Sequence, residues 1–201
     1  ISAPSGAGKT SLVNAILESM DGISVSISHT TRQKRIGETE GHDYYFVDQK
    51  TFETLIKKNA FLEYAHVFQQ DFYGTSRTFV ENKLHQGIDV ILEIDWQGAQ
   101  QIKKNFPKAI SIFILPPSYE TLKKRLTHRA RDNENVITNR MAQAKNEMSH
   151  YQEFDYLVIN DLFETALADL KAIIKTTRLN TSYQSKKYGK LIKELLSCEP
   201  E

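Results

Sequence analysis

Cysteine is nearly missing from this sequence: there is one in 201 residues, Cys198. A disulfide framework and a multi-cysteine metal site are thereby excluded. The usage fits a reducing compartment, and the expected location is cytoplasmic. Long apolar runs are missing too. The longest, Ala109 to Leu115, has the length of a strand and cannot span a bilayer. No signal-peptide pattern, internal repeat or low-complexity segment is visible. An excess of one sign of charge is missing as well: 26 Lys and Arg face 25 Asp and Glu, a formal +1. Bulk charge therefore points to neither a nucleic acid nor a membrane as partner. What remains is ordinary for a globular chain, 40% hydrophobic and 25% charged. Its length suffices for one domain with a sizeable core and small inserted lobes.

The most informative stretch is Ala3-Pro4-Ser5-Gly6-Ala7-Gly8-Lys9-Thr10-Ser11. It follows G-x-x-x-x-G-K-[ST], with Ala3 at the first glycine position. Backbone N–H groups in such a loop point inward and form an anion nest, to which the following helix adds partial positive charge. Lys9 supplies a point charge for the phosphates of a triphosphate, and the Thr10 hydroxyl is placed to ligate Mg²⁺. The bland alternative is a Gly/Ser turn before a helix. A cradle of this kind needs a buried strand ahead of it. Further strand residues upstream of Ile1 are therefore expected, with room for a targeting segment beyond them.

Periodicity sorts the rest of the chain. A helix is expected over Lys9 to Met20 and a half-buried strand over Ile23 to Ser28, with Ile23, Val25 and Ile27 inward. His29 to Glu38 is polar and basic and reads as a loop. A short strand at Tyr44 to Val47, a helix capped by Asp48, and strands around Phe61 to Phe68 and Phe72 to Gly74 make a small antiparallel lobe. Nearly continuous apolar strands at Asp89 to Asp95 and Ala109 to Leu115 are the kind buried on both faces of a parallel sheet. Ser76, Ser118 and an Asp161-x-x-Glu164 capping box start helices. The segment Arg129 to Asn135 is polar and reads as mobile. Strands thus alternate with helices. The expected fold is α/β, with a mostly parallel central sheet flanked by helices and its ligand crevice at the carboxyl ends of the strands.

Four sets of residues carry candidate chemistry. Ser28, Arg32, Arg35 and Tyr44 could hold a second dianionic group, since arginine forks match phosphate; two solvated surface arginines are the alternative. Glu63, with the hydroxyls of Tyr73 and Thr75 across a turn, offers a carboxylate that accepts paired N–H groups, as guanine's edge presents; the alternative is a solubilising Glu on an edge strand. Glu93 and Asp95 follow an apolar strand as magnesium-holding acids do, and Asp95 could instead cap the next helix. Arg125, Arg129, Arg131 and Arg140 could fold over a transferring phosphate, or be helix-surface charges.

Together these residues resemble the guanylate kinase family. The run S-x-T-T-R-x-x-R-x-G-E-x-x-G-x-D-Y, Ser28 to Tyr44, is similar to that family's signature. The likeness extends through the cradle, Glu63, Tyr73-Gly74-Thr75, Leu92 to Gly98, Leu115 to Ser118 and Leu126 to Arg129. Ala3 and Glu93-Ile94-Asp95-Trp96 are similar to the bacterial type. An extra residue within Gln69-Gln70-Asp71, and Asn160-Asp161-Leu162 in place of Asn with two acids, depart from the pattern. The resemblance implies ATP + GMP ⇌ ADP + GDP with Mg²⁺, with dGMP as a second acceptor. It implies ATP held by Ala3 to Ser11, Mg²⁺ by Thr10 and Glu93, and the GMP phosphate by Ser28, Arg32, Arg35, Tyr44 and Tyr73. Guanine falls to Glu63, Thr75 and Asp95, and the transferring group to Lys9, Arg32, Arg35, Arg125, Arg129 and Arg140. It also implies a single domain with a core over 1–31, 76–126 and 151–201, a GMP-binding lobe over 32–75 and a lid over 127–150. A homo-oligomer stays open. Two other readings remain: a non-catalytic module of similar shape that binds phosphopeptides, and another nucleoside monophosphate kinase. The complete cradle counts against the first, and Glu63 with Thr75 against the second.

Overall fold

The computed structural model describes residues 1–67, 71–129 and 134–197, with the side chains of 67, 128–129 and 134–136 excepted. Helix α1 (Lys9–Ser19) starts at Gly8, whose φ of 94° lies in the left-handed region that a side chain would strain. Leu12, Val13 and Ile16 recur on its buried face, as a 3.6-residue period requires. Strand β1 (Ile23–Val25) pairs in parallel with β6 (Asp89–Ile91), and β7 (Ile112–Leu115) with β8 (Tyr156–Ile159). Ile1 and Ser2 join the two pairs. The Ile1 amine donates to Leu92 O at 2.8 Å and its carbonyl accepts from Ile94 N at 3.2 Å. Ser2 N donates to Ile112 O, and Ser2 O accepts from Ile114 N, both at 2.9 Å. Through these two residues the layer runs β1, β6, β7, β8. Strand order therefore reverses at the residues that lead into the cradle, which is where parallel sheets open a crevice.

Helices cover both faces of this layer. On one, α1 and α7 (Phe163–Arg178) bury Ile16, Ala166 and Leu170 against Ile91, Ile112, Ile114 and Val158. On the other, α3 (Arg77–His85) and α4 (Trp96–Asn105) set Val80 and Ile102 against Leu62, with Val90 and Leu92 around them. A second sheet has the order β3 (Tyr45–Phe46), β2 (His29–Thr30), β5 (Asp71–Ser76), β4 (Phe61–Val67), with α2 (Gln49–Lys57) before β4. Helices α5 (Tyr119–Arg129) and α6 (Glu134–Ser149) form a separate small core of Leu122, Leu126, Met141 and Ala144. The chain closes its described part with α8 (Thr181–Lys187) and α9 (Gly189–Ser197).

Several sequence expectations shift. The strand from Ile23 stops at Val25, and the buried residues beyond it are Ser26 and Ser28. His29–Thr30, expected in a loop, is a strand of the second sheet, with Thr30 wholly buried opposite Phe46 and Tyr73. The strand expected from Asp89 to Asp95 pairs with β1 only as far as Ile91, and Leu92 and Ile94 go on to bond Ile1. The strand expected from Ala109 begins only at Ile112. Asp48, Ser76 and Ser118 cap as expected, accepting from Thr51 N, Phe79 N and Thr121 N. The capping box at Asp161 does not form: α7 starts from Leu162 without a side-chain cap. Gln69, Gln70, Arg131 and Cys198 lie outside the described residues.

Candidate active site

The cradle is held from below by a residue that periodicity does not single out. Asn160, at the end of β8, is 4% exposed, and its Nδ2 donates to Ala7 O at 2.7 Å. A Cβ on Gly8 would stand 2.4 Å from that nitrogen, so glycine is needed there for space as well as for its φ. Within the loop Ala7 N donates to Pro4 O. Pro4 and Ala7 are buried, Ala3 packs on the core, and Ser5 and Ser11 face outward. Lys9 and Thr10 converge on Glu93: Nζ stands 3.8 Å from Oε2, and the Thr10 hydroxyl donates to the same oxygen at 3.0 Å. Burial pulls the Lys9 ammonium below its ordinary pKa, and Glu93 works against that fall.

The basic loop is braced by an acid outside the expected set. Glu38 accepts a two-point fork from Arg32, at 3.0 and 2.7 Å, and the Arg35 backbone N–H at 2.8 Å. The Arg32 fork holds the Glu38 carboxyl below its usual range. Arg32 lies 5.2 Å over the Tyr44 ring, and Tyr44 meets Tyr73 edge to face at 5.8 Å. Ser28 is buried just before β2, and its carbonyl accepts from Tyr45 N at 3.0 Å. Arg35 is exposed, and its backbone rather than its guanidinium joins this cluster. The sequence signal for Glu38 was the turn at Gly37, φ 89°, which folds an acid back on the arginine six residues earlier.

Glu63 faces inward. It is 4% exposed, because the pairing of β4 with β5 shifts register between Phe61 and Glu63 and buries Phe61, Leu62 and Glu63 in succession. The reading as a solubilising edge residue is therefore corrected: a bulge turns the carboxylate into the crevice. Thr75, directly opposite, donates its hydroxyl to Oε1 at 2.5 Å. Burial pushes the Glu63 carboxyl up to about 7, against the pull of the Thr75 hydrogen bond. Asp95 caps α4, accepting from Gly98 N at 2.8 Å and from Gln97 Nε2 at 3.3 Å. Gly98 in turn gives Glu63 its room, since a Cβ there would meet Oε2 at 2.5 Å.

The α5–α6 pair brings further groups to the cradle. Arg125 Nη2 donates to Asn160 O at 3.4 Å, while its buried Nη1 has no partner among the described residues. Arg140 sits half-buried on α6. Arg129 closes α5, and its side chain lies outside what is described. Glu147, absent from the expected set, accepts Ser5 N at 3.2 Å, and burial raises its carboxyl to about 7. His150 stacks on Trp96, the first residue of α4, at 3.6 Å and 5°. An apolar groove of about 700 Å³ runs between β6, α4 and α7, and none of the cradle residues from Ala3 to Ser11 line it. The converging charged groups point to the crevice.

A parallel layer with a glycine cradle at its switch point, and a Lys–Thr–Glu set at the mouth, defines an α/β protein built around a phosphorylated ligand. Comparison with known proteins names the class. Residues 1–177 match the family model described as guanylate kinase. A guanylate kinase of Saccharophagus degradans is 56% identical over 197 residues, covering 98% of this chain and 96% of the relative. Those of Vibrio vulnificus and Methylococcus capsulatus are 55% and 53% identical at the same coverage of both chains. The crystal structure of guanylate kinase from Anaplasma phagocytophilum superposes with a TM-score of 0.75 at 35% identity, over 90% of this chain and 85% of that one. The chain belongs to the guanylate kinase family.

Proposed function

We propose that this protein transfers the γ-phosphoryl group of ATP to GMP, and to dGMP, reversibly. One observation carries the reading most directly: the buried Glu63 lays its Oε2 against Gly98, whose N–H binds Asp95, two residues from the Glu93 that meets Lys9 and Thr10. Base reader and phosphate cradle are thus neighbours. The cradle from Ala3 to Ser11 holds the donor phosphates. Ser28, Arg32, Arg35, Tyr44 and Tyr73 hold the acceptor phosphate. Glu63, kept in place by Thr75, takes the paired N–H groups of guanine, and Asp95 fixes the helix start beside it.

Thr10 and Glu93 fit Mg²⁺, a hard cation that takes few protein oxygens and leaves the rest of its shell to water and phosphate. Among the described residues no cluster of three or more His, Cys, Asp or Glu forms a closed metal cage. When bound, the ion supplies charge neutralisation on the transferring group. No general base is required. The acceptor phosphate, with a second pKa of about 6, is mostly dianionic at neutral pH. One of its oxygens forms the new bond to Pγ while the bond from Pγ to the β-bridging oxygen breaks, and ADP leaves with that electron pair. Lys9 and the arginines at 125, 129 and 140 offset the charge in transit, and Arg32 and Arg35 align the acceptor. The lobe over 32–75 and the lid over 127–150 close to keep water out. No helix among the described residues is long and apolar enough to cross a membrane, and we place the reaction in the cytoplasm, with its nucleotides.

Label transfer tests the reading. With γ-labelled ATP and GMP, label is expected in GDP, and Lys9→Ala is expected to cut turnover about 100-fold or more while GMP still binds. Label released only as inorganic phosphate, or full turnover by Lys9→Ala, contradicts it.

A further inference from the structure

The contact between Glu147 and the cradle has no part in the chemistry just described. Its Oε2 accepts the Ser5 N–H at 3.2 Å, on the loop whose amides otherwise await phosphate oxygens. Two elements hold it there. The body of α6 is fixed to α5 by Met141 and Ala144 on Leu122 and Leu126. Three residues beyond Glu147, His150 stacks flat on Trp96 and bonds Glu153 through Nδ1 at 2.6 Å. Among the described residues, Lys9 from α1 and Asp95 from the cap of α4 act on the carboxylate. Lys9 attracts it and Asp95 repels it, as each would a phosphate oxygen in the same place.

We propose that Glu147 competes with the donor's phosphate: in the nucleotide-free protein its carboxylate stands in for a phosphate oxygen on the Ser5 amide, and donor binding must expel it. The proposal rests on the reading of the cradle as the ATP site. Two anions cannot share one amide without repulsion. A single hydrogen bond at 3.2 Å, the long end of the ordinary range, is a hold that a phosphate with several oxygens can break. Expulsion turns the Glu147 side chain off the loop while α6 keeps its packing on α5 and its His150–Trp96 stack. Any fraction of molecules closed by Glu147 reduces the apparent ATP affinity by that fraction.

Calorimetric titration of ATP and, separately, of GMP into the wild type, Glu147→Gln and Glu147→Ala tests this. Removing the competitor is expected to tighten ATP binding about threefold or more in Glu147→Ala, as it would if two-thirds of molecules are closed, with Glu147→Gln between it and wild type. GMP affinity and Tm are expected to stay within error, which separates a competing anion from a structural brace. Unchanged or weaker ATP binding by Glu147→Ala overturns the proposal. ATP binding by none of the three proteins overturns the reading of the cradle itself, and the competition with it.

Discussion

At the scale of single residues, spacing exposes some of the site and hides the rest. Lys9, Thr10 and Glu93 were legible because a short motif and a strand end place them, and they meet within 4 Å. Asn160 and Glu147 were not, because each acts across the fold on a backbone group that no local pattern marks; Glu38 lies within the Ser28 to Tyr44 run, and its fork on Arg32 depends on the turn at Gly37. The inward turn of Glu63 depends on a bulge, and one extra residue in a strand leaves no trace in alternation. Its burial has a consequence for stability. The folded protein binds a proton on Glu63 more tightly than the unfolded chain, from an ordinary value of 4.5 to about 7. That contribution is fully present below pH 4.5 and is lost as pH rises through 7. Relative to Glu63→Gln, the wild type is expected to lose on the order of 3 kcal/mol between pH 4.5 and pH 8, read by denaturant unfolding. A difference that does not change with pH would mean that the carboxyl is solvated.

Elements follow their caps where a polar side chain meets free amides, as at Asp48, Ser76, Ser118 and Asp95. The failure at Asp161 shows the limit. Asn160 one residue earlier is committed to the cradle, and the chain reaches α7 through Leu162. His29–Thr30 became a strand through partners at Tyr45–Phe46 and Tyr73–Gly74, distant residues that a local pattern cannot supply. The meeting of α4 and β4 sets two effects against each other. Alanine is the better helix former by about 1 kcal/mol, so Gly98→Ala should stabilise α4 taken alone. Its methyl would stand 2.5 Å from the Glu63 carboxylate, however, and that group must move. The expected outcome is a GMP KM raised about tenfold, at the low end of the 1–3 kcal/mol of a bidentate base contact, with ATP KM unchanged. Equal changes in both KM values, or none, would show that Gly98 does not place Glu63.

At the scale of the whole molecule, alternation of buried strands and helices is enough to foresee a parallel α/β layer, and topology then decides where function sits. Strand order reverses at Ile1–Ser2, so the cradle, Glu93 and the turn after β1 all open on one side. The second sheet then carries Glu63 and Thr75 to that opening. The cradle alone is common to many nucleotide-binding proteins. In the function proposed above, the buried Glu63–Thr75 pair and the braced Arg32 select a guanine nucleotide as acceptor. A coupled assay of ADP formation with GMP, dGMP, AMP, CMP and UMP as acceptors measures that claim directly. GMP and dGMP are expected to be turned over, with the other three at least about tenfold lower in kcat/KM. Equal use of AMP and GMP would contradict the account.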